Sequence, residues 1–382
     1  MRIKVAVAGL GLIAQTTHLP LLERLREQFD LVAVCDLSAS RTAQLGERYG
    51  VARRYTDVTE MLDAGGFAAV LALTSGSHGR LAADALRRGF AVLCEKPLAY
   101  TRAEAAELAE LDDDPARPRL MVGYMKQYDP AVQRVAARLA DIPADIRAIQ
   151  VTVLHPSTES QLAFARLPAP PDDVPAEAIA RMRDEEDALL LAALGEVPAE
   201  ARVEARGLYQ TILNSICHEL SLLRLLANGP TEVDHVAIWP GAGGRSVELT
   251  GPLAAGGRYA VGWHYLHDYP AYRETVAVHH ATGTFELVFP SPYLLDAPTR
   301  LAVAGAEGLA AYEDRTPSFE RELLAFHAMV TANVAPLTGV AGGAEDIVTA
   351  QLAARRLLAQ RGLAAGGEAA NDTRGEAAKS GP

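Results

Sequence analysis

Cysteine is scarce in this 382-residue chain: Cys35, Cys94 and Cys217 are the only three, and they stand far apart. With no CxxC pair and no Cys/His cluster, neither a disulfide scaffold nor a zinc ribbon is expected. The pairs His264/His267 and His279/His280 lack companion ligands at useful spacing, so no metal is expected either. Positive charge is in deficit. The net charge of −12 argues against nucleic acid or an anionic membrane surface as the main partner. No apolar run reaches the ~20 residues needed to span a bilayer. The short apolar stretch at the start is broken by Gly9 and Gly11 and reads as a buried strand rather than a secretory leader, which makes the expected address cytoplasmic. A G-x-S-x-G elbow is missing, so a serine hydrolase is not supported. Lysine is also rare. Only Lys4, Lys96, Lys126 and Lys379 occur among the 36 basic residues, so each internal lysine is a candidate for a specific role.

What remains is ordinary globular composition, with 49% hydrophobic and 22% charged residues, at a length that suits two domains. Through residue 123, short β-branched apolar runs at 3–8, 31–36, 68–73, 90–95 and 120–123 alternate with helix-like stretches. This pattern predicts an α/β Rossmann-type, doubly wound parallel sheet with helices on both faces. From about residue 145 the grammar changes. Strand candidates at 146–154, 232–239, 246–249, 259–265, 275–280 and 284–289 follow one another with turn signals between several of them. They predict an α+β second domain, 124–363, built on an open, mostly antiparallel sheet. Helices are expected at 211–227, 319–332 and 345–360, the last packing back on the first domain. The proline-rich segment 156–206, with a helix at 176–194, reads as an excursion from this domain, and the tail 364–382 as disordered. An open sheet face is expected to be covered by another copy, so a homodimer or homotetramer is expected.

Gly9-Leu10-Gly11-Leu12-Ile13-Ala14 follows the first strand and opens the first helix, fitting G-x-G-x-x-[GA]. Gly9 permits the tight turn, Gly11 lets a pyrophosphate approach the backbone, and Ala14 allows close helix–strand packing. The helix N-terminus then offers its amides to phosphate. Asp36, at the end of the second strand, suits the hydroxyls of an adenosine ribose and would repel a 2′-phosphate. NAD(H) is therefore favoured over NADP(H), with Arg41 the one nearby residue able to reach a phosphate. Glu95 and Lys96 end another buried strand at the edge where doubly wound sheets bind ligands. Alternation puts them on opposite sides. An ammonium there can polarise a carbonyl and orient a substrate hydroxyl.

These motifs, with Leu73-Thr74-Ser75-Gly76-Ser77-His78, Glu95-Lys96-Pro97 and Gly123-Tyr124-Met125-Lys126-Gln127-Tyr128-Asp129-Pro130, resemble in order and spacing the Gfo/Idh/MocA (glucose–fructose oxidoreductase / inositol dehydrogenase) family. The resemblance implies an NAD(P)-dependent oxidoreductase acting on an alcohol or ketone of a sugar, polyol or related small molecule. It places Leu73, Thr74, Ser75 and His78 along the cofactor, Glu95 beside the nicotinamide ribose, Lys96 as the catalytic lysine and Lys126 near the substrate. Met125 stands where asparagine is common. Members often carry D-x-G-x-H-x-x-D on a helix, and here the matching residues run from Asn214 to Ser221, with His218 kept and both aspartates replaced.

Independently of the family, helical spacing puts Asn214, His218 and Ser221 on one face of an otherwise apolar helix. A polar stripe there needs partners or a cavity. His218 reads as the general acid/base, because imidazole titrates near neutral pH, and Asn214 as a substrate ligand. His155, at a strand end, is a further candidate facing the site. Two alternatives to net oxidoreduction stay open. One is a hydrolase or epimerase using bound NAD transiently. The other is a non-catalytic ligand sensor of the same fold.

Overall fold

The computed structural model describes residues 1–141, 145–165, 167–169, 171–241, 244–306 and 308–371. Strands β1 (Ile3–Ala8), β2 (Phe29–Cys35), β3 (Arg53–Tyr55), β4 (Ala69–Ala72), β5 (Ala91–Glu95) and β6 (Leu120–Gly123) form one parallel sheet in the order β3-β2-β1-β4-β5-β6. This is the doubly wound order, in which the chain leaves β1 towards both edges. All residues of β4 and β5 are buried, as expected of strands covered by helices on both faces. Val70, Ala72, Val92 and Cys94 belong to one core. Ala69, Leu71, Ala91 and Leu93 belong to the other, together with Phe319, Leu323, Phe326 and Met329 of the helix Ser318–Ala332. Alternate residues of one strand thus serve opposite layers. The register pairs Ala8 with Cys35 and with Ala72, and Ala72 with Cys94. The turns carrying Gly9, Asp36, Leu73 and Lys96 consequently leave the sheet along one edge.

The second sheet joins β7 (Ile146–His155), β8 (His235–Gly241), β9 (Gly244–Pro252), β10 (Arg258–Tyr265), β11 (Arg273–His280), β12 (Gly283–Phe289), β13 (Thr299–Gly305) and β14 (Gly308–Asp314). Their order is β14-β13-β12-β11-β7-β10-β9-β8. β7 and β10 pair in parallel and the other neighbours are antiparallel. Ile149, Val151, Val153, Tyr259, Val261, Val276, Val278, Phe285 and Leu287 form its buried face. Helix Cys217–Ala227 contacts that sheet, and helix Val340–Gln360 packs on Arg102–Leu111 of the first domain. The opposite sheet face carries Gln150, Thr152, Ala260, Gly262 and Ala277, small or polar rather than broadly apolar.

The excursion after β7 starts on the second sheet, where Gln161 meets His155 of β7, packs its later helices on helix Val340–Gln360, and reaches the first domain through polar contacts. Its helices are Thr158–Leu162, Ala176–Leu194 and Ala199–Thr211. Asp173 meets Ser38 and Ser40, Glu185 pairs with Arg80 at 2.9 Å, and Tyr100 donates to Glu186 at 3.1 Å. Those contacts follow β2, β4 and β5 in turn, so the excursion runs along the carboxyl edge of the parallel sheet. The expectation of a disordered tail from residue 364 needs correction for 364–371. There Gly367–Ala370 forms a 3₁₀ turn, and Glu368 accepts from the amides of Arg102 at 2.7 Å and Ala103 at 3.0 Å. A carboxylate on the first amides of a helix is a favourable cap, and it ties this stretch down. Residues 372–382 lie outside the described residues.

Candidate active site

Gly9 adopts φ +95°, and a Cβ there would lie 2.6 Å from the main-chain carbonyl of Leu73. Only glycine lets the β1 turn close against the β4 turn in this way. A Cβ on Gly11 would meet nothing within 4 Å, so the backbone is open where a pyrophosphate would approach. Leu12 and Ile13 are half-buried in the turn, and Ala14 is fully buried under it. The helix begins as a π turn, Ala14–His18, before Leu19–Arg24. Its first amides have no partner within the helix and suit an anion. Asp36 accepts from the Leu10 amide at 2.8 Å and the Ser38 amide at 3.0 Å, with Arg41 Nη1 3.7 Å from its carboxylate. The same carboxylate that would meet a ribose therefore also fixes the phosphate-binding turn. Leu73 is buried, Thr74 half-buried and Ser75 exposed along the edge. His78 lies beneath them, its Nδ1 2.7 Å from the carbonyl oxygen of Pro97. These residues fit a dinucleotide.

At the end of β5 the two charged side chains diverge. Glu95 turns inward, with Oε1 3.0 Å from His18 Nε2 and Oε2 accepting from the Lys96 amide at 3.2 Å. Lys96 crosses to the second domain, where Nζ donates to the main-chain carbonyl of Asn214 at 2.9 Å. His218 stands in the same quarter. Burial, then the charges of Lys96 and Lys126, push its imidazole well below the ordinary value. Its Nδ1 is enclosed without a partner. A neutral imidazole between two cations is a proton acceptor that resists charging.

Asn214 and Ser221 do not share that environment as a regular helix would arrange it. Residues Ile212–Ile216 form a π turn, whose i→i+5 hydrogen bonds break the spacing of four on which the stripe depends. The Asn214 amide donates to the Gln210 carbonyl at 2.9 Å and to the Tyr100 hydroxyl at 3.3 Å. Ser221 Oγ donates to the carbonyl of His218 at 2.7 Å.

Lys126 is buried and donates to Glu219 and Glu274, each at 2.6 Å. Burial alone would lower its ammonium, but the two carboxylates more than offset that and hold it above the ordinary lysine value. Burial raises the Glu219 carboxyl, against the attraction of Lys126 and with help from Glu274. Tyr272 also donates to Glu274 at 2.6 Å. Lys126, Tyr272, Phe289 and Phe319 line a cleft that opens beside this group. His155 stacks on Tyr265, 5.8 Å between ring centroids, and places Nδ1 2.8 Å from the Pro156 carbonyl oxygen. Burial pushes its pKa down.

Sequence reasoning missed several of these residues. Glu219 directly follows His218 and could have been noticed as a carboxylate on an apolar helix. Glu274 and Tyr272 carry no local signal, because Glu274 meets Lys126 only when the fold brings β11 to the segment after β6. Tyr293 is found only through the fold: burial first, and the Glu95 charge second, raise its phenol. Among the described residues no group of three or more His, Cys, Asp or Glu is placed to hold a metal, and no helix is long and apolar enough to cross a membrane.

Residues 3–124 match the model of an oxidoreductase family with an NAD-binding Rossmann fold, Gfo/Idh/MocA. An inositol 2-dehydrogenase of Salmonella paratyphi B is 30% identical over 131 residues, 34% of this chain and 39% of that protein. A D-apiose dehydrogenase of Paraburkholderia graminis is 33% identical over 141 residues, 37% of either chain. The match thus spans about two fifths of the length of these curated relatives. The myo-inositol 2-dehydrogenase of Lactobacillus plantarum superposes on 95% of this chain and 98% of its own with a TM-score of 0.68 at 16% identity, a likeness of fold. Residues 3–124 are thus similar to the NAD-binding Rossmann domain of the Gfo/Idh/MocA oxidoreductase family, and the two domains together carry the fold of that solved dehydrogenase.

Proposed function

We propose that the protein is an NAD-dependent oxidoreductase interconverting an alcohol and a ketone on a sugar, cyclitol or related polyhydroxylated small molecule. The observation that supports this reading is that Lys96, at the carboxyl edge of the parallel sheet, donates to the Asn214 carbonyl of the second domain and that its charge acts on His218. Gly9, Gly11 and Asp36 would hold NAD, which would supply a hydride acceptor for the substrate carbon. His218, neutral because burial and two ammonium groups disfavour its charged form, takes the hydroxyl proton as that hydride leaves. Lys96 holds the reacting oxygen and stabilises the negative charge that develops there. Reduction of the ketone reverses both transfers. Lys126, neutralised by Glu219 and Glu274, borders the cleft on the substrate side. The relatives' names, inositol 2-dehydrogenase and D-apiose dehydrogenase, support the substrate class.

Purified protein is titrated with NADH and then assayed against a panel of polyols and keto-sugars. Net change in NADH with substrate conversion is the expected outcome. Conversion without net change would instead mean transient redox in a hydrolase or epimerase. Binding without conversion would mean a sensor, a reading favoured by the fact that the Asn214 and Ser221 side chains already have protein partners, the Gln210 carbonyl and Tyr100 hydroxyl for Asn214 and the His218 carbonyl for Ser221. We also propose a cytoplasmic homodimer or homotetramer assembled through the second domain, and a monomer by light scattering would refute the assembly.

A further inference from the structure

Asp173 lies far in sequence from the nucleotide-binding turns, yet its carboxylate sits on the loop after β2. Oδ1 accepts from Ser38 Oγ at 2.5 Å and Oδ2 from the Ser40 amide at 2.7 Å. Ser38 also caps the helix Ala39–Arg48 by accepting from the Arg41 amide at 3.0 Å. Two residues earlier, Asp36 holds the Leu10 and Ser38 amides and has Arg41 beside it at 3.7 Å. Two carboxylates from separate parts of the chain therefore flank Ser38. The hydroxyl of Ser38, the amide of Ser40 and the guanidinium of Arg41 are the groups beside Asp36 that could bind a phosphate on the adenosine ribose. The first two are occupied by Asp173, and the third is engaged by Asp36. The Asp173 carboxyl is held below its ordinary value by the bonds from Ser38 and Ser40, in keeping with its charged form being the one seated there.

We propose that Asp173 is a cofactor-selecting residue: it fills the donor set a 2′-phosphate would need, so that exclusion of NADP depends on the excursion as well as on Asp36. This deepens the NAD reading above and rests on it. A ribose 2′-hydroxyl can donate to a carboxylate and meets no opposing charge. A phosphate dianion would face two carboxylates and would have to displace one from its donors, and like charges brought together in this way weaken binding.

The experiment is fluorescence titration of the full chain with NADH and with NADPH, for the unmodified protein, Asp173→Ala and Asp173→Asn. Asp173→Ala is expected to tighten NADPH by about tenfold or more, while NADH changes by less than about threefold. Asp173→Asn, which removes the charge and keeps an acceptor, is expected to fall between. Added salt should narrow the gap between the two cofactors in the unmodified protein more than in Asp173→Ala, because the repulsion is screened. Retained NADH binding with the same NADPH-to-NADH ratio in both variants would overturn the role of Asp173 alone. Failure of the unmodified protein to bind either dinucleotide would overturn the cofactor reading and this inference with it.

Discussion

The ammonium of Lys96 donates to the main-chain carbonyl of Asn214 at 2.9 Å and so joins the edge of the parallel sheet to the segment leading into the His218 helix. His218 feels that charge. Burial is the larger cause of its lowered pKa, and Lys96 is the next. As an acceptor His218 must be neutral, so alcohol oxidation should fail as pH drops through its pKa. Replacing Lys96 by methionine removes a neighbouring positive charge, which raises that pKa and should move the acid limb of kcat/KM to higher pH. Lys96→Arg keeps the charge and should leave the limb in place. Residual activity followed across pH decides it. An unmoved limb in Lys96→Met would break the electrostatic link between the two residues.

Loss of His218 should act on turnover rather than on cofactor binding. A general acid–base group contributes about 10²–10⁴-fold, so His218→Ala should lose about that factor in kcat while the NADH dissociation constant stays within about twofold. Near-normal turnover would transfer the proton step to another group, with Tyr293 and Tyr272 next to consider.

The first domain was legible because its local signals agree with one another. The run at 3–8, the glycine turn and the acid at 36 report the same strand–turn–helix unit, and β1 occupies Ile3–Ala8. The helix at 176–194 was also readable from its composition and is Ala176–Leu194. Strand β3 escaped notice because it is three residues long, two of them arginine. β14 escaped because it is a largely exposed edge strand with no apolar alternation. The site was legible only where its residues lie on recognisable motifs. Lys96 and His218 could be named, but the π turn at Ile212–Ile216 has no sequence period that reveals it. It redirects Asn214 towards Tyr100 and offers its carbonyl to Lys96. Likewise, nothing local joins Lys126 to Glu219 and Glu274, since those carboxylates arrive from the His218 helix and from β11.

That buried group gives a stability prediction. Lys126 is 5% exposed, Glu219 2% and Glu274 0%. Lys126→Met would strand two carboxylates without their cation. Breaking a buried ion pair in this way costs about 3–5 kcal/mol, and chemical denaturation should register a loss of that order. Adding Glu219→Gln to Lys126→Met should recover part of it, because one stranded charge disappears. A double variant as unstable as the single one would mean that Lys126 contributes by packing instead.

Glu322 supplies the clearest test of pH dependence. It is 0% exposed, and neither carboxyl oxygen has a hydrogen-bond partner. Burial first, and the Glu95 charge second, push its pKa well above the ordinary carboxyl value. The folded protein therefore holds a proton that the unfolded chain has already released. Between the ordinary carboxyl range and the raised folded value, the native state binds more protons, so stability falls as pH rises. The slope from one such group is about 1.4 kcal/mol per pH unit. Glu322→Gln replaces the neutral acid by a neutral amide of similar size and has no proton to lose. It should flatten this part of the stability profile, leaving the variant relatively more stable at the alkaline end than at the acidic end when both proteins are unfolded with urea at several pH values. Parallel profiles for the two proteins would show that Glu322 is charged in the folded state and that a partner compensates it.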